Sequence, residues 1–172
     1  MVPKDQLLKD KDKSSRGHAS QFFVAGELCR RGWIAVVTLG NTPNTDILCS
    51  DKAGQKFVHI QVKTFVPGGK TCSVGMKAEN DVDKNFFWVL GGIPLPGQDR
   101  PFEYYVIPAR VMAANTRKEH QQYLRARGMD GELHKDNTIR VVHLPGSTSK
   151  YKWDVEKYRD RWELIGERLG GD

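Results

Sequence analysis

The segment from Lys56 to Phe65 alternates apolar and polar side chains, and this alternation limits the fold more than any other feature of the sequence. Successive side chains of a β-strand point to opposite faces, so the segment predicts a strand with one apolar and one polar face. The apolar face consists of Val58, Ile60 and Val62, and the polar face consists of His59, Gln61 and Lys63. Such a polar face is either the solvated side of a sheet or part of a functional site.

A helix is expected before this strand, from about Ser15 to a stop ahead of Gly32. At about 100° per residue, one arc of that helix is apolar. The arc contains Phe22, Ala25, Leu28 and Cys29, with Val24 at its edge. Gln21 falls inside the arc, which predicts that this polar side chain faces the interior.

Further strand signals and two more helix signals complete the chain. Strands are predicted at 33–39, 45–50, 71–75, 85–90, 103–107 and 139–144. A broken helix is predicted from Pro108 to Arg127, and a continuous C-terminal helix from the stripe that begins at Val155 and ends at Leu169. The fold class expected from this order is α/β (α+β), with a central mixed β-sheet flanked by helices.

Length and composition fit one domain that stays in solution. The chain has 172 residues, so residues 15–172 are expected to form a single domain after a frayed lead-in at residues 1–14. No apolar run approaches the roughly 18 residues that a membrane span requires, and no secretory signal is expected. Three scattered cysteines predict neither a disulfide framework nor a zinc site, which favours a reducing cytoplasm. The excess of 27 Lys and Arg over 21 Asp and Glu favours a polyanionic partner such as nucleic acid.

Asp46 is the carboxylate best placed to join the polar strand face. It stands at the head of an apolar strand directly after a turn, and the next strand carries Gln61 and Lys63. Pairing of these strands would bring the three side chains to one pocket, which we expect beneath the first helix.

The segment from Gly17 to Thr64 resembles the PD-(D/E)xK nuclease superfamily, in particular a bacterial branch with a D…QxK motif. The resemblance is carried by Gly17-His18-Ala19-Ser20-Gln21, by Thr45-Asp46 and by Ile60-Gln61-Val62-Lys63-Thr64. It covers about a third of the chain. It implies an αβββαβ restriction-endonuclease-like core and a Mg²⁺- or Mn²⁺-dependent DNA endonuclease. Cleavage of both strands of a duplex usually calls for two active sites, which makes a homodimer possible and leaves the oligomeric state open.

The resemblance also implies a role for each matching residue. Asp46, Gln61 and the carbonyl of Val62 would bind the metal, and Lys63 would orient water and stabilise charge on the phosphate. Gln21 takes the helix position that a glutamate usually holds. Gln61 likewise replaces the usual acid, so the site has one carboxylate and the metal should bind weakly without substrate. Two alternatives follow. The chain is either an enzyme that recruits its metal together with DNA or a degenerate domain that binds nucleic acid or a protein partner without cleaving.

Several other residues are candidates for contact with nucleic acid. His59 lies on the polar strand face, and the basic candidates are Lys70, Lys77, Arg110, Arg117 and Lys118. Their positive charge suits phosphate contacts, which position a nucleic acid without reading its sequence. DNA is the expected partner and RNA the second choice. A solvated surface is the alternative interpretation of these residues, and a protein-interaction module is the alternative for the whole chain.

Overall fold

The computed structural model describes residues 13–38, 42–128 and 130–170. Residues 1–12 of the expected lead-in lie outside this part, and the first helix begins at Lys13. None of the helices in the described ranges is long and apolar enough to cross a membrane.

The fold is mixed α+β, as predicted: residues 13–38, 42–128 and 130–170 form three helices around a five-stranded mixed sheet. The helices are α1 (Lys13–Arg30), α2 (Ala109–Arg125) and α3 (Glu163–Leu169). The strands are β1 (Ile34–Val37), β2 (Ile47–Ser50), β3 (Phe57–Phe65), β4 (Thr71–Ser73), β5 (Phe86–Gly92), β6 (Glu103–Pro108) and β7 (Val141–His143). Two 3₁₀ turns lie at Met76–Glu79 and Val155–Tyr158.

The main sheet has the strand order β1-β2-β3-β5-β6, and β4 pairs with β7 in a separate ribbon. Neighbours in the main sheet are antiparallel except β3 and β5, which run parallel. A parallel pair needs a crossover connection. Here the crossover contains β4 and the 3₁₀ turn Met76–Glu79, where the αβββαβ order would place a helix.

Two apolar layers cover the two faces of the sheet, because the side chains of β3 and β5 alternate between them. One layer joins α1 and α3 to the face that carries Ile60 and Val89. The other joins α2, the 3₁₀ turn Met76–Glu79 and the β4–β7 ribbon to the face that carries Trp88 and Leu90. The polar positions of β3 belong to this second side.

The predicted arc of α1 was wrong in part. Phe22 is 65% exposed and Cys29 is exposed, whereas Val24 and Leu28 are fully buried. Val24 and Leu28 set the buried direction, and Phe22 lies about 160° from Val24 around the helix. Gln21 lies about 60° from Val24 around the helix and is half-buried.

The predicted continuous C-terminal helix was also wrong, because the segment crosses the edge of the sheet at β6. Val155 packs in the layer with α2, whereas Trp162 packs in the layer with α1. Between them, Asp160 adopts a φ of 50° and its N–H donates to the carbonyl of Tyr104 at 2.9 Å. The apolar period is therefore divided between a 3₁₀ turn and α3, and the crossing covers the unpaired edge of β6.

Helix α2 is continuous, although the sequence predicted a broken helix. It starts directly after Pro108 and contains neither glycine nor proline. Its buried positions recur at helical spacing and include Met112, Thr116 and Glu119. Two polar side chains on that stripe therefore lie inside the protein.

Candidate active site

Asp46 is held where β2 separates from β3. Its backbone N–H donates to the carbonyl of Ile60 at 2.9 Å, and the ladder of β2 and β3 begins at the next residue, Ile47. Beyond this point the side chain of Asp46, rather than its backbone, bonds to β3: Oδ2 accepts a hydrogen bond from the N–H of Val62 at 2.7 Å. Oδ2 also accepts a hydrogen bond from Nε2 of Gln61. The backbone of β3 thus fixes the position of this acid.

Asp46, Gln61 and Lys63 line the same cavity, as the strand pairing predicted. The cavity has a volume of about 640 Å³, and Lys77 from the 3₁₀ turn also lines it. Gln61 and Lys63 reach it because they are two residues apart on one face of β3. One acid (Asp46), two amides (Asn44 and Gln61) and two ammonium groups (Lys63 and Lys77) therefore share a single pocket.

The cavity does not lie beneath the first helix, where we expected it. Its walls include Val74, Gly75 and Trp88, which belong to the side of the sheet covered by α2 and the ribbon. The apolar stripe of α1 packs on the opposite face. Gln21 does not line the cavity, and no hydrogen bond within the described ranges joins it to Asp46 or Lys63. The helix position matched by the resemblance is thus apart from the three strand residues.

Burial and hydrogen bonding act in opposite directions on Asp46. Its half-buried position raises the pKa of the carboxyl, and the Val62 N–H and the Lys63 ammonium lower it, with burial the stronger effect. The carboxylate consequently takes up a proton at higher pH than an exposed aspartate. Lys77 adds a weaker attraction to the ionised form.

The oxygen atoms of the pocket suit a hard cation such as Mg²⁺. Both protein hydrogen bonds of Asp46 go to Oδ2, and Oδ1 accepts none from the described residues. A half-turn of the Gln61 amide would present Oε1 instead of Nε2. No cluster of three His, Cys, Asp or Glu side chains able to hold a metal occurs in residues 13–38, 42–128 and 130–170. The set therefore fits a cation that completes its shell with water and substrate oxygens.

The remaining nucleic-acid candidates are dispersed, and only Lys77 among them lines the cavity. His59 is exposed, and its Nδ1 lies 3.2 Å from Oγ1 of Thr45. Nη1 of Arg117 donates to the carbonyl of Glu79, which fixes α2 to the 3₁₀ turn. The other three, Lys70, Arg110 and Lys118, are exposed.

Trp88 is a site residue that the sequence analysis missed. It lines the cavity beside Gln61, its partner in the register of β3 and β5. The residue is 2% exposed, and its indole Nε1–H is a buried donor without a hydrogen-bond partner. The apolar run of β5 predicted its burial, but its place beside Gln61 depends on the pairing of two strands far apart in sequence.

Comparison with known proteins relates the chain to a nuclease through its fold. It matches the structure of a bacterial homing endonuclease, I-Ssp6803I, with a TM-score of 0.56 and 17% sequence identity. The match covers 92% of this chain and 96% of that chain. No protein-family model and no curated protein sequence matches. The fold is therefore that of a known nuclease, over nearly the whole length of both chains.

Proposed function

We propose that this protein is a divalent-metal-dependent DNA endonuclease of the PD-(D/E)xK type, with Asp46, Gln61 and Lys63 as its active-site residues. The observation that carries the proposal is that these three side chains, from two adjacent strands, line one cavity. The likeness of fold to a homing endonuclease supports it. Cleavage of both strands of a duplex would then employ two copies of the chain.

The bound ion would be Mg²⁺ or Mn²⁺, held by Asp46, Gln61 and the carbonyl of Val62, and it would supply an activated water and a polarised phosphate. Substrate oxygens complete the shell, so the metal binds weakly in the absence of DNA.

The chain itself contributes positive charge and fixed donors. The Lys63 ammonium stabilises the negative charge that develops on the phosphate and orients the attacking water. Lys77, which also lines the pocket, binds an adjacent phosphate and so positions the backbone. The Nε1–H of Trp88 is buried and has no hydrogen-bond partner among the described residues, so it would donate to a phosphate oxygen or a water only after the wall of the pocket shifts to expose it. Gln21 has no part in this chemistry unless α1 moves toward the pocket.

A second candidate function is binding of nucleic acid without cleavage. The observation that favours it is the single carboxylate: among the described residues, Asp46 is the only acid in the wall of the cavity. Each missing carboxylate removes about 4 kcal/mol of attraction for each unit of charge on the metal, at an effective dielectric of 20 and a separation of 4 Å. A domain of this kind would bind DNA in a salt-dependent manner and leave it intact.

Incubation of the purified protein with duplex, branched and single-stranded DNA in Mg²⁺ or Mn²⁺ distinguishes the two. We expect cleavage by the native chain and at least a roughly 100-fold loss in Lys63→Ala. Lys52→Ala is the matched control, because Lys52 is exposed in the turn at the far end of β2 from Asp46. Binding without cleavage in every metal would establish the second function, and equal cleavage by Lys63→Ala would reject the first.

A further inference from the structure

A second cavity lies on the same side of the sheet, between α2 and the β4–β7 ribbon. Its volume is about 240 Å³, which is below the roughly 300–1,000 Å³ of clefts for drug-sized ligands and suits a single heterocycle. Thr116, Glu119 and Tyr123 of α2 form one wall, and His143 of β7 lies in another. The cavity is separate from the Asp46 pocket and has no part in the proposed cleavage reaction.

Two buried polar side chains in this cavity have no hydrogen-bond partner within residues 13–38, 42–128 and 130–170. Glu119 is 8% exposed and Thr116 is 2% exposed, and neither the carboxylate oxygens nor Oγ1 is hydrogen-bonded. Nε2 of His143 lies 2.9 Å from Oε1 of Glu119, but this contact lacks the alignment of a hydrogen bond. A buried carboxylate without donors costs several kcal/mol, so the cavity is suited to a ligand that supplies them.

The surrounding charges favour a neutral ligand over a cation. Arg140 lines the same cavity and is buried, and its Nε pairs with Glu79 at 2.6 Å. His120 and His143 also line the cavity, and each imidazole would repel a cation when it is protonated. A neutral ring with two adjacent N–H donors satisfies both carboxylate oxygens without this repulsion. Among nucleobases, guanine presents such an edge, with its ring N–H beside its amino group.

A basic groove adjoins the cavity and fits the phosphate of a nucleotide. Tyr151 lies in the walls of both, and Arg125 and Lys150 line the groove. A ligand with its base inside could therefore place a negative group against these two cations. The segment 137–139 forms the partition on the other side: Thr138 lines the Asp46 pocket, while Asn137 and Ile139 line this cavity.

We propose that this cavity binds a guanine nucleotide, with the base on Glu119 and Thr116 and the phosphate between Arg125 and Lys150. The base would be read by its hydrogen-bonding edge and enclosed by aromatic side chains, as in enzymes that take a base out of the stack. The source is either a free nucleotide or an unpaired guanine of a DNA strand. The DNA source rests on the proposed function, whereas the guanine pocket does not.

Isothermal titration calorimetry of the full chain with deoxyguanosine monophosphate tests the proposal. We expect saturable binding that is about tenfold weaker for the inosine analogue, which lacks the amino group, and for the adenine analogue. Glu119→Gln should lose at least about tenfold, with folding verified by thermal unfolding, and Thr116→Val provides a second variant of the same wall. Stronger binding of the adenine nucleotide, or unchanged affinity in both folded variants, would overturn the proposal.

Two further experiments distinguish phosphate binding from base binding, and a free nucleotide from DNA as the source of the guanine. Arg125→Ala with Lys150→Ala should weaken the monophosphate but leave deoxyguanosine unchanged; equal weakening of both would refute the phosphate assignment. A thymine oligonucleotide with one central guanine should bind more tightly than the all-thymine strand if DNA is the source, and equally if the free nucleotide is. Asp46→Asn is included throughout: retained nucleotide binding with cleavage absent would show that the pocket stands independently of the nuclease function.

Discussion

Two carboxylates on the same side of the sheet, the half-buried Asp46 and the buried Glu119, show how hydrogen bonds select what a pocket can bind. Burial raises the pKa of Asp46 and raises the pKa of Glu119 to about 8. Asp46 is compensated by the Val62 N–H and the Lys63 ammonium, whereas no charge or hydrogen bond opposes the rise at Glu119. The first acid is therefore suited to a cation and phosphate, and the second to a ligand that brings its own donors.

The largest expected effect tests the charge of the first acid. Asp46→Asn should reduce metal-dependent DNA cleavage by about 10²–10³-fold, because no other carboxylate from the described part of the chain lines the pocket to attract the ion. Initial cleavage rates at saturating Mn²⁺ give the measurement. Asp99→Asn, in the exposed loop before β6, is the matched control for loss of one negative charge. Full activity of Asp46→Asn would show that this aspartate serves only to join β2 and β3.

Addition of a second carboxylate sharpens the contrast between the two pockets. Gln61→Glu should lower the dissociation constant of Mn²⁺ by about tenfold, since attraction of a few kcal/mol is partly offset by repulsion from Asp46. The measurement is calorimetric titration of the DNA-free protein at pH 8. Gln61→Ala should bind no better than the native chain. An unchanged affinity in Gln61→Glu would mean that the ion is not held at this strand position.

The raised pKa of Glu119 should make the stability of the protein depend on pH. Because the pKa of Glu119 is raised from 4.5 to about 8 on folding, its ionisation costs stability progressively as the pH rises through that interval. Glu119→Gln carries no such cost, so its melting temperature should exceed that of the native chain increasingly between pH 5 and pH 8. A difference of about 4–8 °C is expected at pH 8.5, from roughly 2 kcal/mol after allowance for partial hydration.

Neighbouring titrating groups do not produce the same pattern. His143 has its pKa lowered by burial, so it stays neutral over most of this range, and His120 pairs with Asp136 at 2.9 Å. A constant difference in melting temperature across the range would therefore disprove a raised pKa at Glu119.

The Asp46 pocket was more predictable from sequence than the Glu119 cavity, for a physical reason. Alternation in β3 and the turn before Asp46 are local signals, and pairing of consecutive strands brings them together with little ambiguity. Glu119 is one acid in a basic helix, and it is buried by β7, which follows it by more than twenty residues. The burial of Glu119 therefore leaves no mark in the local pattern.

The elements that were predicted wrongly share this dependence on distant contacts. The C-terminal stripe has a helical period, but the edge of β6 divides it between two layers. The arc of α1 placed Phe22 inside, whereas its neighbour Phe23 packs on Phe102 at 4.7 Å and the stripe turns toward Val24. Periodicity gives the width of an apolar face, and only the packed neighbours give its direction.

The smallest expected effect concerns the unpaired donor of the Asp46 pocket, the counterpart of the unpaired acceptors at Glu119. Trp88→Phe removes the Nε1–H and keeps an aromatic ring in the sheet, so the KM for DNA should rise about threefold to tenfold while kcat stays within about twofold. Phe86→Leu controls for altered packing, because Phe86 belongs to the same apolar layer as Trp88 but does not line the pocket. If both variants change KM equally, the indole contributes only packing. A rise in Trp88→Phe alone would mean that each pocket on this side of the sheet keeps a buried polar group unpaired for its ligand, a donor for phosphate in one and an acceptor for a base in the other.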